Sequence, residues 1–109
     1  MAVQEYKTLR EFWPFYLAEH KNAFNRTLHF IGSTGVLVLL GLAIYFRDWR
    51  YLVAMPLCGY GFAWVGHFFV EKNRPATFKY PIKSFVSDWI MYFYIWTGQI
   101  GRELDKIKA

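Results

Sequence analysis

Three histidines and one carboxylate carry the chemistry this 109-residue chain could perform: His20, His29, His67 and, four residues beyond the last, Glu71. A spacing of four places His67 and Glu71 on one helical face, and Asn25 stands in the same relation to His29. His20 and His29 are nine residues apart, which at ~100° per residue would point them to opposite sides of an unbroken helix. Either the chain bends between them, at Asn22 or Asn25, or only one of them faces a shared site. Three neutral imidazoles with a carboxylate suit Fe(II), Zn(II), Cu(II) or Ni(II), whereas carboxylate-only sites suit magnesium or calcium. Iron that activates O2 needs only a few protein ligands and adjacent open positions. The competing reading is plainer: histidines at a membrane interface that hydrogen-bond headgroups. No His-x-x-His or His-x-x-x-His pair is present, and three histidines are too few for the di-iron membrane hydroxylases and desaturases.

The elements that must position these residues are read from charge spacing. Residues 27–46 contain no Lys, Arg, Asp or Glu, and neither do residues 51–70. Twenty helical residues at ~1.5 Å rise cover ~30 Å, the thickness of a bilayer's hydrocarbon core. A third apolar segment, 84–101, carries Asp88 near its start and is marginal as a full span. The aromatic patch Phe12–Ala18, with Pro14 inside it, predicts an interfacial or re-entrant element. The fold class expected is therefore all-α: one membrane-embedded domain over 1–109, an integral helical bundle. It has about three transmembrane helices, at about 27–46, 51–70 and 84–101, and a short interfacial N-terminal helix. Composition agrees, since 55% of the chain is hydrophobic and 22% aromatic, more aromatic area than a small soluble domain buries. Disorder is excluded by the same figures. A lone cysteine excludes an internal disulfide and a cysteine-based zinc site. The first apolar run begins too far along, and lacks a small-residue cleavage site, for a signal peptide. The net charge of +5 fits basic residues meeting anionic headgroups, and no nucleic-acid motif is present. Lys and Arg number eight on one side of a three-span arrangement and five on the other, favouring a cytoplasmic N-terminus.

The short connection Arg47–Arg50 makes the first two spans an antiparallel hairpin. The start of one and the end of the other then meet at the same membrane face. That face collects the histidines, while the opposite one holds only Arg47, Asp48 and Arg50. The loop carrying Glu71, Asn73, Arg74 and Lys79 leaves the histidine face, and Ser84 and Asp88 re-enter there. Arg26, Arg74 and Lys79, with Asn73 beside them, could hold a lipid carboxylate; ordinary headgroup anchoring explains them equally well. An unpaired Asp88 in an apolar segment is costly, so it should pair with a histidine N–H or an arginine. Asn25, beside His29, and Asp88 are the expected supports of the ligands. Gly32, Gly35, Gly41, Gly59, Gly61 and Gly66 are small positions that let helices approach.

His20-Lys-Asn-Ala-Phe-Asn-Arg-Thr-Leu-His29-Phe-Ile-Gly32, followed by Gly66-His67-Phe-Phe-Val-Glu71-Lys-Asn73-Arg-Pro75-Ala76 and then Pro81, Ser84, Asp88 and Met91, resembles the Mpo-one-like family of small membrane proteins. The similarity runs from the Phe12-Trp-Pro-Phe-Tyr patch to Tyr92. The resemblance implies an Fe(II)-dependent dioxygenase that cleaves the C1–C2 bond of 2-hydroxy fatty acids and shortens them by one carbon. It places the expected iron ligands on His20, His29 and His67, with Glu71 as the acidic position. The partners it implies are a 2-hydroxy fatty acid, O2 and a bilayer, which is the inner membrane in a bacterium and the endoplasmic reticulum in a eukaryote. A homo-oligomer is compatible with it. The alternatives are a non-catalytic membrane protein that binds lipid or a partner through its basic face, and a metal-dependent lipid hydrolase.

Overall fold

The computed structural model describes residues 6–107, and every regular element among them is helical. The chain divides into two compact units, Asn22–Pro75 and Met1–Lys21 with Ala76–Ala109.

The first unit is a helical hairpin. Asn22 caps α2 (Ala23–Phe46), its side chain accepting from the Phe24 N–H at 2.8 Å and the Asn25 N–H at 3.4 Å, which satisfies donors that the first helical turn leaves open. Arg47, in the left-handed conformation at φ 53°, ends α2. The chain reverses, and α3 (Arg50–Val65) runs on into a π-helical turn over Gly66–Glu71. α2 and the continuous stretch Arg50–Glu71 are both long and apolar enough to cross a membrane. At ~1.5 Å per residue, these 24 and 22 residues run to about 36 and 33 Å. The hairpin is patterned inside out. Its buried residues are small or polar (Asn25, His29, Gly32, Ala43, Gly66 and His67), while Leu37, Val38, Ile44, Leu57 and Phe69 face outward. A soluble protein's core helix shows the reverse. Close approach explains the small residues: a Cβ on Gly35 would stand 2.5 Å from Cys58 Sγ, and one on Gly32 3.0 Å from Phe62 Cβ. Gly41 and Gly61, expected to serve the same purpose, have nothing within 4 Å and are not contact positions.

The second unit pairs α1 (Leu9–Ala18) with α4 (Pro81–Trp96), a 3-10 turn over Ala76–Phe78 and a short α5 (Ile100–Lys106). Thr8 caps α1 by accepting from the Glu11 N–H at 3.1 Å, and Glu11 accepts from the Lys7 N–H at 3.2 Å, a variant of the reciprocal capping box. Phe12, Tyr16, Ala76 and Met91 form its core, with Tyr6, Trp13, Phe15 and Tyr80 packed against them. The segment expected to cross over 84–101 is not one helix. It stops at Trp96, turns at Gly98 (φ +75°) and resumes at Ile100. Sixteen residues give α4 about 24 Å, short of the ~30 Å hydrocarbon core. Among the described residues, two helices have the length and composition of a span. α4 is also inverted, with Ser84, Ser87 and Met91 buried and Ile82, Phe85, Phe93 and Trp96 exposed.

Candidate metal centre

His29 lies one turn after Asn25 on α2, and its Nδ1 is 3.0 Å from the Asn25 carbonyl oxygen. A carbonyl only accepts, so Nδ1 carries the proton and Nε2 the lone pair. His67 comes from the π-helical turn, a distortion that re-aims side chains and recurs at functional positions. Lys72 ends that turn in the left-handed conformation (φ 59°) and folds Asn73 back onto it. The Asn73 N–H then donates to the His67 carbonyl at 2.9 Å, and its side-chain oxygen accepts from His67 Nδ1 at 2.7 Å. The two imidazole rings stand 5.0 Å apart and nearly perpendicular, at 88°.

His20 sits just past the end of α1, and α2 begins at Ala23. This break removes the difficulty of the nine-residue spacing. Its Nδ1 donates to the Tyr16 carbonyl at 2.6 Å, and its ring stacks on Tyr16 at 4.0 Å between centroids. All three histidines are thus held in the same way, each Nδ1–H tied to an oxygen acceptor. That bond fixes the tautomer and puts the ring's lone pair on Nε2. One ligand atom from each of His20, His29 and His67 lies within 4.8 Å of the others, and all three residues are buried. Three neutral imidazoles, drawn together, are a donor set that fits Fe(II), Zn(II) and their neighbours.

The other expected site residues are placed differently. Glu71 is not part of this group. Its Oε1 accepts from the Asn22 N–H at 2.6 Å and from Asn25 Nδ2 at 3.3 Å, so it ties the end of the π-helical turn to the start of α2. Asn25 supports His29 through its backbone and Glu71 through its side chain. Gly66 makes room for it, since a Cβ there would fall 1.8 Å from Asn25 Oδ1. Asn73, expected at the substrate, is the acceptor for His67. Arg26 is half-buried on α2, Arg74 is exposed, and Lys79 lies 5.6 Å from the Tyr80 ring centroid. Asp88 pairs with neither a histidine nor an arginine: it accepts from the Tyr16 hydroxyl. Burial pushes its carboxyl up to about 7, against the lowering effect of that hydrogen bond. Burial also raises the Tyr16 phenol, with the nearby Asp88 charge adding to it. Tyr16 was absent from the expected site. The signal that would have found it is its position four residues before His20, the same spacing as Asn25 to His29.

The family model of 2-hydroxy-palmitic acid dioxygenase Mpo1-like proteins matches residues 6–100. The chain belongs to this family. The match to the Mpo1-like model spans all three histidines and both units. No curated protein and no solved structure matches the chain. The Mpo1-like description, a dioxygenase of a 2-hydroxy fatty acid, and a buried group of three histidines able to hold a metal point to the same class of chemistry.

Proposed function

We propose that this protein is an Fe(II)-dependent dioxygenase, embedded in a membrane through α2 and α3, that shortens 2-hydroxy fatty acids by one carbon. The observation that carries the reading is the meeting of His20, His29 and His67 ligand atoms within 4.8 Å, in a chain matched by the Mpo1-like family. Bound iron would supply activation of O2 and a Lewis-acid hold on the acid's carboxylate and 2-hydroxyl. The chain's own residues do the rest. The carbonyls of Tyr16 and Asn25 and the side-chain oxygen of Asn73 hold the Nδ1 protons, fixing the tautomer and the aim of the three imidazoles. Three protein ligands leave positions open for substrate and oxygen. The exposed apolar faces of the hairpin set the depth at which the acid's alkyl chain lies. Arg26, Arg74 and Lys79 are the cations assigned to its carboxylate, which a guanidinium grips through two parallel hydrogen bonds. The overall reaction balances without an added reductant: a 2-hydroxy acid and O2 give the shortened acid, carbon dioxide and water, the substrate supplying every electron that oxygen takes.

The test is anaerobic loading of the detergent-solubilised protein with Fe(II), addition of 2-hydroxypalmitate and admission of O2. The fifteen-carbon acid should form only when iron and oxygen are both present. Lipid turnover with Zn(II) under nitrogen would instead make the protein a hydrolase. A well-folded sample that retains no metal would make it a lipid-binding protein.

A further inference from the structure

We infer that Tyr16 and Asp88 are a positioning pair for His20, a role that rests on the metal-site reading above and extends it beyond the ligands. Tyr16 grips His20 twice. Its carbonyl takes the Nδ1 proton at 2.6 Å, and its ring lies against the imidazole at 4.0 Å and 27°. Trp13 stacks on Tyr16 as well, at 5.7 Å and 13°, and Trp13 Nε1 is anchored to Glu103 Oε1 at 3.0 Å. A stacked phenol can still slide in its own plane, and the Asp88 carboxylate prevents this by accepting the Tyr16 hydroxyl. Tyr16 is 1% exposed, so its hydroxyl relies on a protein acceptor, and the bond is the polar stop at the far edge of the ring.

His20 needs this support more than the other two histidines. His29 is carried within α2 and His67 within the π-helical turn. His20 lies beyond the C-terminal end of α1, in a turn secured by its N–H to the Leu17 carbonyl at 2.9 Å. A ligand outside a helix gains its fixed direction from side chains, and that direction must hold to within about 0.5 Å for productive geometry. α4 supplies it: Asp88 lies one turn after buried Ser84 and beside buried Ser87, on the face turned inward.

The experiment uses full-length protein labelled with 15N-histidine, in detergent and free of metal, followed by Co(II) titration. In the wild type, His20 should show the imidazole nitrogen shifts of a single tautomer protonated at Nδ1. Asp88→Ala and Tyr16→Phe should move the His20 nitrogens toward a mixture of tautomers and weaken Co(II) binding roughly tenfold, the lower end for partners of metal ligands. Asp88→Asn, whose amide oxygen still accepts the phenol, should restore both readouts. Unchanged helix content by circular dichroism reports that each variant is folded, and Tyr16→Leu stands in should Tyr16→Phe lose it. Wild-type His20 shifts and wild-type Co(II) affinity in both Asp88→Ala and Tyr16→Phe would overturn the pair. Failure of the wild type itself to bind Co(II) would overturn the metal reading, and the metal-free nitrogen shifts would then decide the positioning role alone.

Discussion

At the Arg47–Arg50 turn, the hairpin's polar groups lie at the surface and satisfy one another: Arg50 pairs with Asp48 at 2.7 Å, and Asp48 also accepts the Arg50 N–H at 3.0 Å. At the hairpin's other end Asn25, His29 and His67 are buried, with Glu71 and Asn73 partly so, and each bond has a structural consequence. Glu71 joins the end of the π-helical turn to the start of α2, Asn73 orients His67, and the Asn25 backbone orients His29. The same helices thus end in two different ways. Water replaces a lost partner at the turn, so little depends on any one bond there. Beneath the surface an abandoned donor or acceptor costs its full desolvation, and the network becomes a fixed frame. A fixed frame is what a metal centre of three histidines would require.

The contrast is broken most completely by His67→Ala. Metal retention and turnover should both be lost while helix content by circular dichroism stays the same. A smaller effect is expected from Gly66→Ala, whose new Cβ would displace the Asn25 side chain from Glu71. Overpacking of this kind costs about 1–3 kcal/mol, and a lowered thermal midpoint in detergent is the measurement. Asn73→Ala should leave the fold in place but release the His67 tautomer. Metal affinity should fall roughly tenfold or more, read by Co(II) titration. The smallest effect belongs to the opposite end. Hydrogen bonds and the charge of Arg50 hold the Asp48 carboxyl below its ordinary range. Its contribution is therefore present above the unfolded-state value and lost as pH falls through the depressed one. Asp48→Ala should leave metal affinity unchanged and shift the thermal midpoint by no more than its measurement error between pH 6 and 8. A loss of metal in that variant would erase the distinction between the two ends.

How much of this was legible beforehand differs by residue. The hairpin was, because two charge-free runs of twenty residues separated by Arg-Asp-Trp-Arg admit few other folds in a bilayer. Its ends in the structure, Ala23–Phe46 and Arg50–Glu71, lie within a few residues of the expected spans. The break in the third segment was not: α4 ends at Trp96 and Gly98 turns the chain, although no charge interrupts residues 89–101. Hydropathy records which residues tolerate lipid and says nothing of where a backbone turns. Glu71 was legible as the acidic position beside the histidines, and Asp88 as a carboxylate in need of a partner. Their partners, Asn22 with Asn25 and Tyr16, were not, since a carboxylate accepts equally well from a metal, an amide or a phenol.

The amino-acid sequence by itself determined the chemistry available: three imidazoles, few competing ligands, apolar segments long enough to cross a bilayer, and a motif order that marks the family. Those properties are local, since spacing and side-chain type are written residue by residue. Only the tertiary structure decided which atoms meet. It broke the helix between His20 and His29, wound α3 into a π-helical turn at His67, turned Asn73 back onto it and spent Glu71 on the start of α2. Each of these outcomes is a choice among hydrogen-bond partners distant in sequence, and burial, which removes water as an alternative, makes the choice.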